Sequence, residues 1–330
     1  FLTEPASYTI DLVKKVYSPN NIDYKILKKS SYSYPLNAKK IKNKLFINNY
    51  SFISKLSLIK GCYLKYDVII FSGYNSFLFL MLWFVHIFAK NKKTISIISD
   101  TTLNIPSNFL KRFIKKHYLE YIFKNLFIHG FAGGNGSHRE LFSFYGMSND
   151  RIHFLPMVID VDEFNYTYTR KRNSNFTFLY VGRFIKRKQI EYLIDEFLSV
   201  YSSNLKVHLV LVGDGECYKD TYNKYSKFKN IFFRGRLTSS KLKKEYQLAH
   251  VFVLAASNEN WGLVINEAMS SSLVVLSNIG IGANYDLIQN KNTGLIFDSS
   301  IKGDLAKKMQ FLFKNKDRYK VLSKNAYYFM

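Results

Sequence analysis

The sequence predicts an α/β protein of two doubly wound, Rossmann-like domains that face one another across a cleft, and three observations support this. Short apolar runs alternate with longer segments of helical period, which is typical of βα units in parallel sheets. The chain has 330 residues, about the length of two domains of roughly 160 residues. A polar segment without apolar period, residues 165–175, interrupts the pattern. We therefore predict an N-terminal domain of residues 1–165 and a C-terminal domain of residues 166–330, joined by this linker.

Ten apolar runs are predicted as strands. Those of the first half are Asp67–Phe71, Thr94–Ile98, Phe127–Ala132 and Ile152–Leu155. Those of the second half are Phe176–Val181, Val207–Val212, Ile231–Phe233, Val251–Leu254, Leu273–Leu276 and Gly294–Phe297. Because ligands of parallel sheets bind beyond the carboxyl ends of the strands, we expect the site in the cleft between the domains.

The composition excludes several classes of protein. Hydrophobic residues make up 47% of the chain and charged residues 22%, which excludes a disordered protein. Cys62 and Cys217 lie far apart and have no C-x-x-C partner, so neither a disulfide scaffold nor a zinc site is indicated. The longest apolar run, Phe77–Ala89, is shorter than the roughly 20 residues of a spanning helix. We predict a buried helix there, and a membrane-dipping segment is the alternative. The two isolated cysteines fit a reducing compartment, so we predict a cytoplasmic location.

The net charge of +24 predicts a polyanionic partner or surface. Residues Lys111–Lys124 (KRFIKKHYLEYIFK) combine five basic residues with many aromatic and aliphatic ones. Such a helix can lie on an anionic membrane surface. A helix with one core face and one solvated basic face is the alternative.

The first motif with chemical content is Val181–Lys188 (VGRFIKRK), which joins a predicted strand to the helical stretch Ile190–Tyr201. Gly182 permits a tight turn, and a helix start offers free backbone N–H groups with a positive dipole. Arg183 and Lys188 add two full charges, so a diphosphate is the natural occupant. A basic surface loop is the alternative reading of the same residues.

The second motif is an E-x7-E arrangement, Glu259 and Glu267, after the predicted strand Val251–Leu254. Residues Leu263–Met269 are predicted as a helix, which places Glu259 before it and Glu267 about one turn inside it. Carboxylates accept paired hydrogen bonds from vicinal sugar hydroxyls. A helix-terminal acid and a solvated glutamate would also account for this spacing.

Three weaker signals accompany these motifs. Gly213 lies in the turn VGDG after a predicted strand, where a phosphate or base loop or a simple tight turn would fit. Leu237 follows the predicted strand Ile231–Phe233, and we predict that backbone groups beside it hold a nucleobase. The segment Asn278–Asn284 (NIGIGAN) is glycine-rich but lacks the G-x-G-x-x-G spacing of a dinucleotide site, which disfavours an oxidoreductase.

Taken together, these residues resemble the retaining glycosyltransferases of family 4, also described as glycosyl transferases group 1, which have the GT-B fold. The resemblance covers nearly the whole chain and is strongest over residues 176–300, where GR-x4-K, VGDG, ENWGLVINEAMS and NTGLIF follow in the family's order. It implies a nucleotide-sugar donor, which is a substrate, and no metal or cofactor. It also implies that Arg183 and Lys188 hold the diphosphate, Glu267 the ribose and Glu259 the transferred sugar. The resulting donor-binding set is Gly182, Arg183, Lys188, Gly213, Leu237, Glu259, Gly262, Leu263, Val264 and Glu267.

The chain departs from the family pattern at three places. The glycine-rich loop after the first strand is replaced by Thr3–Ser7, and the glycine after Lys188 is Gln189, which we expect to be tolerated. Where members often have a histidine, this chain has Asp100, which we take as a fourth catalytic candidate beside Glu259, Arg183 and Lys188. The alternative role of Asp100 is to cap the segment that follows it.

The resemblance thus implies a metal-independent, retaining glycosyltransferase, and together with the basic helix it suggests a setting in bacterial surface-polysaccharide assembly. Its acceptor is a glycan or a lipid-linked glycan, and it is cytoplasmic, with peripheral contact to the inner membrane face. A nucleotide-sugar isomerase or epimerase of the same fold is the first alternative, although no cluster of acid and base residues supports it. A basic nucleic-acid-binding protein is the second, but no recognisable binding module is present, so nucleic acid is not among the predicted partners.

Overall fold

The computed structural model describes residues 1, 25–26, 47–161, 164, 166, 169, 172 and 174–330. They divide into two units, Phe1–Val158 and Ile159–Met330. This division lies a few residues before the boundary that we predict after residue 165. The predicted linker lies partly outside the described residues, and the predicted loop Thr3–Ser7 lies wholly outside them.

The first unit contains a four-stranded parallel sheet of order β1-β2-β3-β4. Its strands are β1 (Val68–Ser72), β2 (Thr94–Ser99), β3 (Ile128–Ala132) and β4 (Ile152–Phe154). Its described helices are α1 (Phe52–Lys65), α2 (Phe77–Phe88), α3 (Phe109–Phe123) and α4 (Ser137–Phe144). The four strands predicted for this half are confirmed, with ends that differ by one residue.

Side-chain caps explain where three of these helices begin. Ser51 accepts a hydrogen bond from the Ser54 N–H, and Ser76 accepts one from the Phe79 N–H. Asn108 accepts one from the Lys111 N–H. Each cap satisfies a backbone donor that has no partner inside the helix. The helices cover a core whose largest fully buried side chains include Phe71, Phe79, Phe123 and Phe142.

Helix α2 is buried on one face only, which corrects the prediction of a buried helix. The buried side chains of this helix are Leu78, Phe79, Met81, Leu82, Trp83 and His86. Its exposed side chains are also apolar: Phe77, Leu80, Phe84, Ile87 and Phe88. A helix that is apolar all round leaves no hydrophobic periodicity from which to tell the two faces apart. Within the described parts of the chain, every helix is too short or too polar to cross a bilayer.

Helix α3 contains the basic stretch that we predict from Lys111 to Lys124, and Lys124 caps its C-terminus. Leu119, Ile122 and Phe123 are buried against the sheet. The outer face carries more than solvated cations, because apolar side chains are exposed there too. These exposed apolar side chains are Phe109, Leu110, Phe113, Ile114 and Tyr121.

The second unit contains a six-stranded parallel sheet of order β10-β9-β8-β5-β6-β7. Its strands are β5 (Phe176–Val181), β6 (Val207–Val212), β7 (Ile231–Gly235), β8 (Val251–Leu254), β9 (Val274–Asn278) and β10 (Gly294–Phe297). All six predicted strands are confirmed, and β7 and β9 extend two residues further than predicted. The helices are α5 (Ile190–Tyr201), α6 (Tyr218–Tyr225), α7 (Ser239–Leu248), α8 (Val264–Ser270), α9 (Asp304–Lys314) and α10 (Lys316–Phe329).

The strand order of this sheet reverses between β5 and β8. The chain runs from β5 outward through β6 and β7, and then returns to place β8 on the other side of β5. Such a reversal leaves a crevice at the carboxyl ends of the two strands, where sheets of this kind bind ligands. A ligand site is therefore expected among the residues that follow β5 and β8.

Candidate functional site

The two sequence motifs meet at this reversal. Phe178 and Leu179 of β5 pair with Val251 and Phe252 of β8, so the segments that leave both strands emerge side by side. The first segment carries Arg183 and Lys188, and the second carries Glu259. The structure thus brings together Lys188 and Glu259, which are 71 positions apart in the chain.

The turn after β5 is supported by the VGDG turn after β6. The Gly182 N–H donates to the Val212 carbonyl at 3.0 Å, and the Phe184 N–H donates to the Asp214 carbonyl at 2.9 Å. Gly213 has a φ of +138°, and a Cβ at this position would lie 1.8 Å from the Gly182 carbonyl oxygen. Only glycine allows this approach, so Gly213 has a structural role whether or not it also contacts a ligand.

Gly182 does not have a positive φ. The turn after β5 therefore does not need the backbone freedom of glycine, which corrects our prediction that Gly182 is there to permit a tight turn. A Cβ at Gly182 would instead lie 2.8 Å from the Tyr180 hydroxyl oxygen. That hydroxyl donates to the Arg183 carbonyl at 3.0 Å. The missing side chain thus makes room for a buried tyrosine that holds the turn, and the Arg183 side chain is left exposed.

Lys188 does not lie in the helix that follows the motif but ends a separate 3-10 turn, Lys186–Lys188. Helix α5 begins at Ile190, after Gln189 has adopted left-handed backbone angles of φ 51° and ψ 44°. Glycine adopts these angles more readily than glutamine, which gives a physical reason for the glycine usual at this position. The turn directs the Lys188 side chain inward, where only 10% of it is exposed.

Glu259 forms an ion pair with the buried Lys188. The Lys188 Nζ lies 2.5 Å from Oε2 of Glu259, and Nη1 of Arg187 donates to the same oxygen. Burial raises the pKa of the Glu259 carboxyl, but the Lys188 charge and the hydrogen bonds from Arg187 and Lys188 outweigh it, and the pKa is lowered. Burial also lowers the pKa of Lys188, against the opposing effect of Glu259. The carboxylate is therefore held ionised between two cations.

The glycine-rich segment after β9 holds the backbone of Glu259. The Glu259 N–H donates to the Gly280 carbonyl at 3.3 Å, and the Gly282 N–H donates to the Glu259 carbonyl at 2.9 Å. A Cβ at Gly280 would lie 2.1 Å from the Ser257 carbonyl oxygen. The segment Asn278–Asn284 thus positions Glu259 through backbone hydrogen bonds.

The second half of the E-x7-E motif is a tight turn and a short helix. Gly262 has a φ of +93°, and the Ile265 N–H donates to its carbonyl at 2.8 Å. Leu263 immediately precedes α8, Val264 begins it, and Glu267 is its fourth residue, as the spacing predicts. The Tyr246 hydroxyl, on α7, donates to Oε2 of Glu267 at 2.7 Å.

Two predicted site residues belong to other elements. Leu237 is half-buried between β7 and α7. Asp100 follows β2 in the first unit and is half-buried. The hydrogen bond at its turn runs from the Thr101 N–H to the Ser99 hydroxyl at 3.1 Å. The roles of Leu237 and Asp100 stay predictions, as do the ligand contacts of the other predicted site residues.

Sequence reasoning missed two residues that contact the predicted carboxylates. Arg187 contacts Glu259, and Tyr246 contacts Glu267. Arg187 occupies one of the variable positions inside GR-x4-K, and its basic side chain was the only signal. Tyr246 left no signal, because a tyrosine near the end of a helix has many uses.

Comparison with known proteins agrees with the motifs. The family described as Glycosyl transferases group 1 matches residues 164–329. The chain is 30% identical over 151 residues to a sulfoquinovosyl transferase of Arabidopsis thaliana, covering 45% of this chain and 28% of that protein. It is 28% identical over 166 residues to the alpha-monoglucosyldiacylglycerol synthase of Acholeplasma laidlawii, covering 47% and 39%. It is 27% identical over 188 residues to the capsular polysaccharide biosynthesis glycosyltransferase CapM of Staphylococcus aureus, covering 55% and 48%. The match therefore spans less than half the length of each relative.

Solved structures support the fold. HepE of Anabaena, in complex with UDP, has a TM-score of 0.66 at 14% identity, covering 83% of this chain and 76% of that one. A glycosyltransferase from Rickettsia africae has a TM-score of 0.65 at 16% identity, covering 98% and 82%. Identities this low show the fold alone. With the two parallel sheets, they confirm the predicted α/β class of GT-B type.

Proposed function

The chain belongs to the glycosyl transferases group 1 family, and we propose that it moves a sugar from a nucleotide-sugar donor to a glycan or lipid-linked glycan acceptor. The observation that carries this proposal is the cluster of Lys188, Glu259 and Arg187 at the strand reversal of the second unit. The name of a structural neighbour, HepE in complex with UDP, supports a nucleotide donor.

In this proposal, Arg183 and Lys188 bind the donor's diphosphate. Arg183 is exposed at the turn. Lys188 breaks its ion pair with Glu259 and pairs with a phosphate oxygen of the donor instead. Both cations lie where negative charge develops as the nucleotide leaves, and preorganised charges at such a point lower the barrier. Glu267, oriented by Tyr246, accepts hydrogen bonds from the ribose hydroxyls, and Glu259 accepts them from the transferred sugar.

We further propose that transfer retains the configuration of the sugar and needs no metal, as in family 4. The acceptor hydroxyl attacks on the face from which the nucleotide departs, and a donor phosphate oxygen takes its proton. The cations then supply the charge stabilisation that a divalent metal supplies in other transferases. Asp100 is proposed to contact the donor sugar or the acceptor.

The acceptor is proposed to be part of bacterial surface-glycan assembly at the inner face of the membrane. One relative is named for capsular polysaccharide biosynthesis, and another for the synthesis of a glucosylated diacylglycerol. On α3, exposed Lys111, Arg112 and Lys116 alternate with exposed Phe113 and Ile114. This combination suits peripheral contact with anionic lipid headgroups.

The test is incubation with UDP-glucose, UDP-N-acetylglucosamine and GDP-mannose, with and without glycan and lipid acceptors. Free nucleotide and products are measured by mass spectrometry. We expect one donor to release nucleotide and to give a glycosylated acceptor whose anomeric configuration matches the donor. Interconversion of donors without an acceptor would instead identify an isomerase, and no turnover in any arm would contradict the proposal.

A further inference from the structure

Arg187, in the 3-10 turn Lys186–Lys188, forms hydrogen bonds with three consecutive residues of the segment after β8. Its carbonyl accepts the Ser257 N–H at 2.8 Å, and its Nη1 donates to the Asn258 carbonyl at 2.8 Å. The same Nη1 donates to Oε2 of Glu259. These contacts place the guanidinium beside Glu259 through backbone groups, so its position does not depend on Lys188.

The Glu259 carboxylate thus has two cationic partners, one buried and one partly exposed to solvent. Lys188 is 10% exposed and Glu259 is 20% exposed, whereas 42% of the Arg187 side chain is exposed. In the proposed function, Lys188 turns to the donor's diphosphate. A buried carboxylate that loses its only cation is strongly destabilised, because its charge is then uncompensated. A second cation removes that penalty during each donor-binding event.

We infer that Arg187 is a positioning residue that holds the Glu259 carboxylate in place while Lys188 binds the donor's phosphate. The inference rests on the proposed function. A surface ion pair without such a role would contribute little to activity or stability. A positioning role and a surface ion pair without a role can be told apart by measuring kcat and how kcat depends on pH.

Lys186 offers a matched control. It belongs to the same 3-10 turn, its side chain is exposed, and its carbonyl accepts the Gln189 N–H. Arg187→Gln and Lys186→Gln therefore remove the same charge from neighbouring positions, and only the first touches Glu259. Arg187→Lys keeps the charge but gives up the forked geometry of the guanidinium.

The experiment measures kcat and KM for nucleotide release from UDP-glucose, UDP-N-acetylglucosamine and GDP-mannose across the pH range. For Arg187→Gln we expect kcat to fall about tenfold, the effect of one lost charge-assisted hydrogen bond, with the donor KM changed less than about twofold. The acid limb of its kcat profile should move to higher pH, since Glu259 is then protonated more easily. Arg187→Lys should recover part of kcat, and Lys186→Gln should match the wild type.

Equal kcat values and identical pH profiles for Arg187→Gln and Lys186→Gln would overturn the role of Arg187. An unmoved acid limb with a general loss of kcat would do the same, because it would indicate a merely structural effect. Absence of turnover by the wild-type protein would instead refute the proposed function, so the two failures are distinguishable.

Discussion

The Tyr246 hydroxyl lies 2.7 Å from Oε2 of Glu267, and the tyrosine ring is fully buried. A donor fixed in this way orients the Glu267 carboxylate. The proposed ribose contact of Glu267 therefore depends on a residue of the preceding helix, α7. This dependence can be measured separately from the diphosphate contacts.

We expect Tyr246→Phe to weaken UDP or GDP binding about fivefold, the effect of one hydrogen bond worth ~1 kcal/mol. Binding of pyrophosphate should not change, because it lacks the ribose. Tyr225→Phe is the matched control, since its hydroxyl donates to Asp195 at 2.7 Å outside the candidate site. Equal loss for pyrophosphate and nucleotide in calorimetric titrations would contradict the ribose role.

Gly213→Ala should destabilise the second unit and abolish nucleotide binding. The added Cβ would overlap the Gly182 carbonyl, and relief of such overpacking costs about 1–3 kcal/mol, in addition to backbone strain. Gly303→Ala is the control, because Gly303 has a φ of +78° but open space around its Cβ position. Urea unfolding should give the larger loss for Gly213→Ala, and equal losses would show that φ strain alone matters.

The ion pairs of Glu259 should make stability depend on pH in one direction. The lowered pKa of Glu259 means that its pairing contributes stability above the ordinary value of 4.5 and loses it as the pH falls through the lowered value. We expect the difference in free energy of unfolding between the wild type and Glu259→Gln to be largest at about pH 7 and to shrink below pH 4.5. Glu191→Gln, which loses an exposed pair with Lys224, controls for net charge. A difference that grows on acidification would have the wrong sign.

The membrane proposal predicts that Phe113→Ser with Ile114→Ser weakens binding to phosphatidylglycerol vesicles about tenfold or more, given the apolar area withdrawn from the bilayer. Leu205→Ser with Ile301→Ser is the matched control, since both side chains are 55% exposed on the second unit. Binding should also fall with added salt and be weak on phosphatidylcholine vesicles. Co-sedimentation that does not distinguish the two double variants would contradict docking through α3.

The strands could be predicted, and four motif residues could be recognised as candidates, because both leave local signals. A buried parallel strand is a short apolar run, and Arg183, Lys188, Glu259 and Glu267 stand at fixed spacings after such runs. The contact of Lys188 with Glu259 also requires that β5 and β8 be neighbours, and strand order leaves no local signal. Side-chain partners could not be predicted in the same way, because the contact of Arg187 with Glu259 joins positions 72 residues apart and leaves no periodicity.

Backbone angles and burial show the same limit. The left-handed angles of Gln189 follow from the join between a 3-10 turn and α5, and a glutamine gives no hint of them. The exposed face of α2 could not be recognised because both of its faces are apolar. In both cases the tertiary surroundings, not local propensity, decide the outcome.

Binding of a nucleoside diphosphate is the most direct test of the central claim, that Arg183 and Lys188 hold a donor's diphosphate. Isothermal titration of UDP and GDP into the wild type, Arg183→Ala and Lys188→Ala should show binding that each substitution weakens by about 1–3 kcal/mol, as charge-assisted bonds are lost. Lys224→Ala, which removes an exposed lysine paired with Glu191, should bind as the wild type does. Unchanged affinity in both site variants, or no binding of either nucleotide by the wild type, would contradict it.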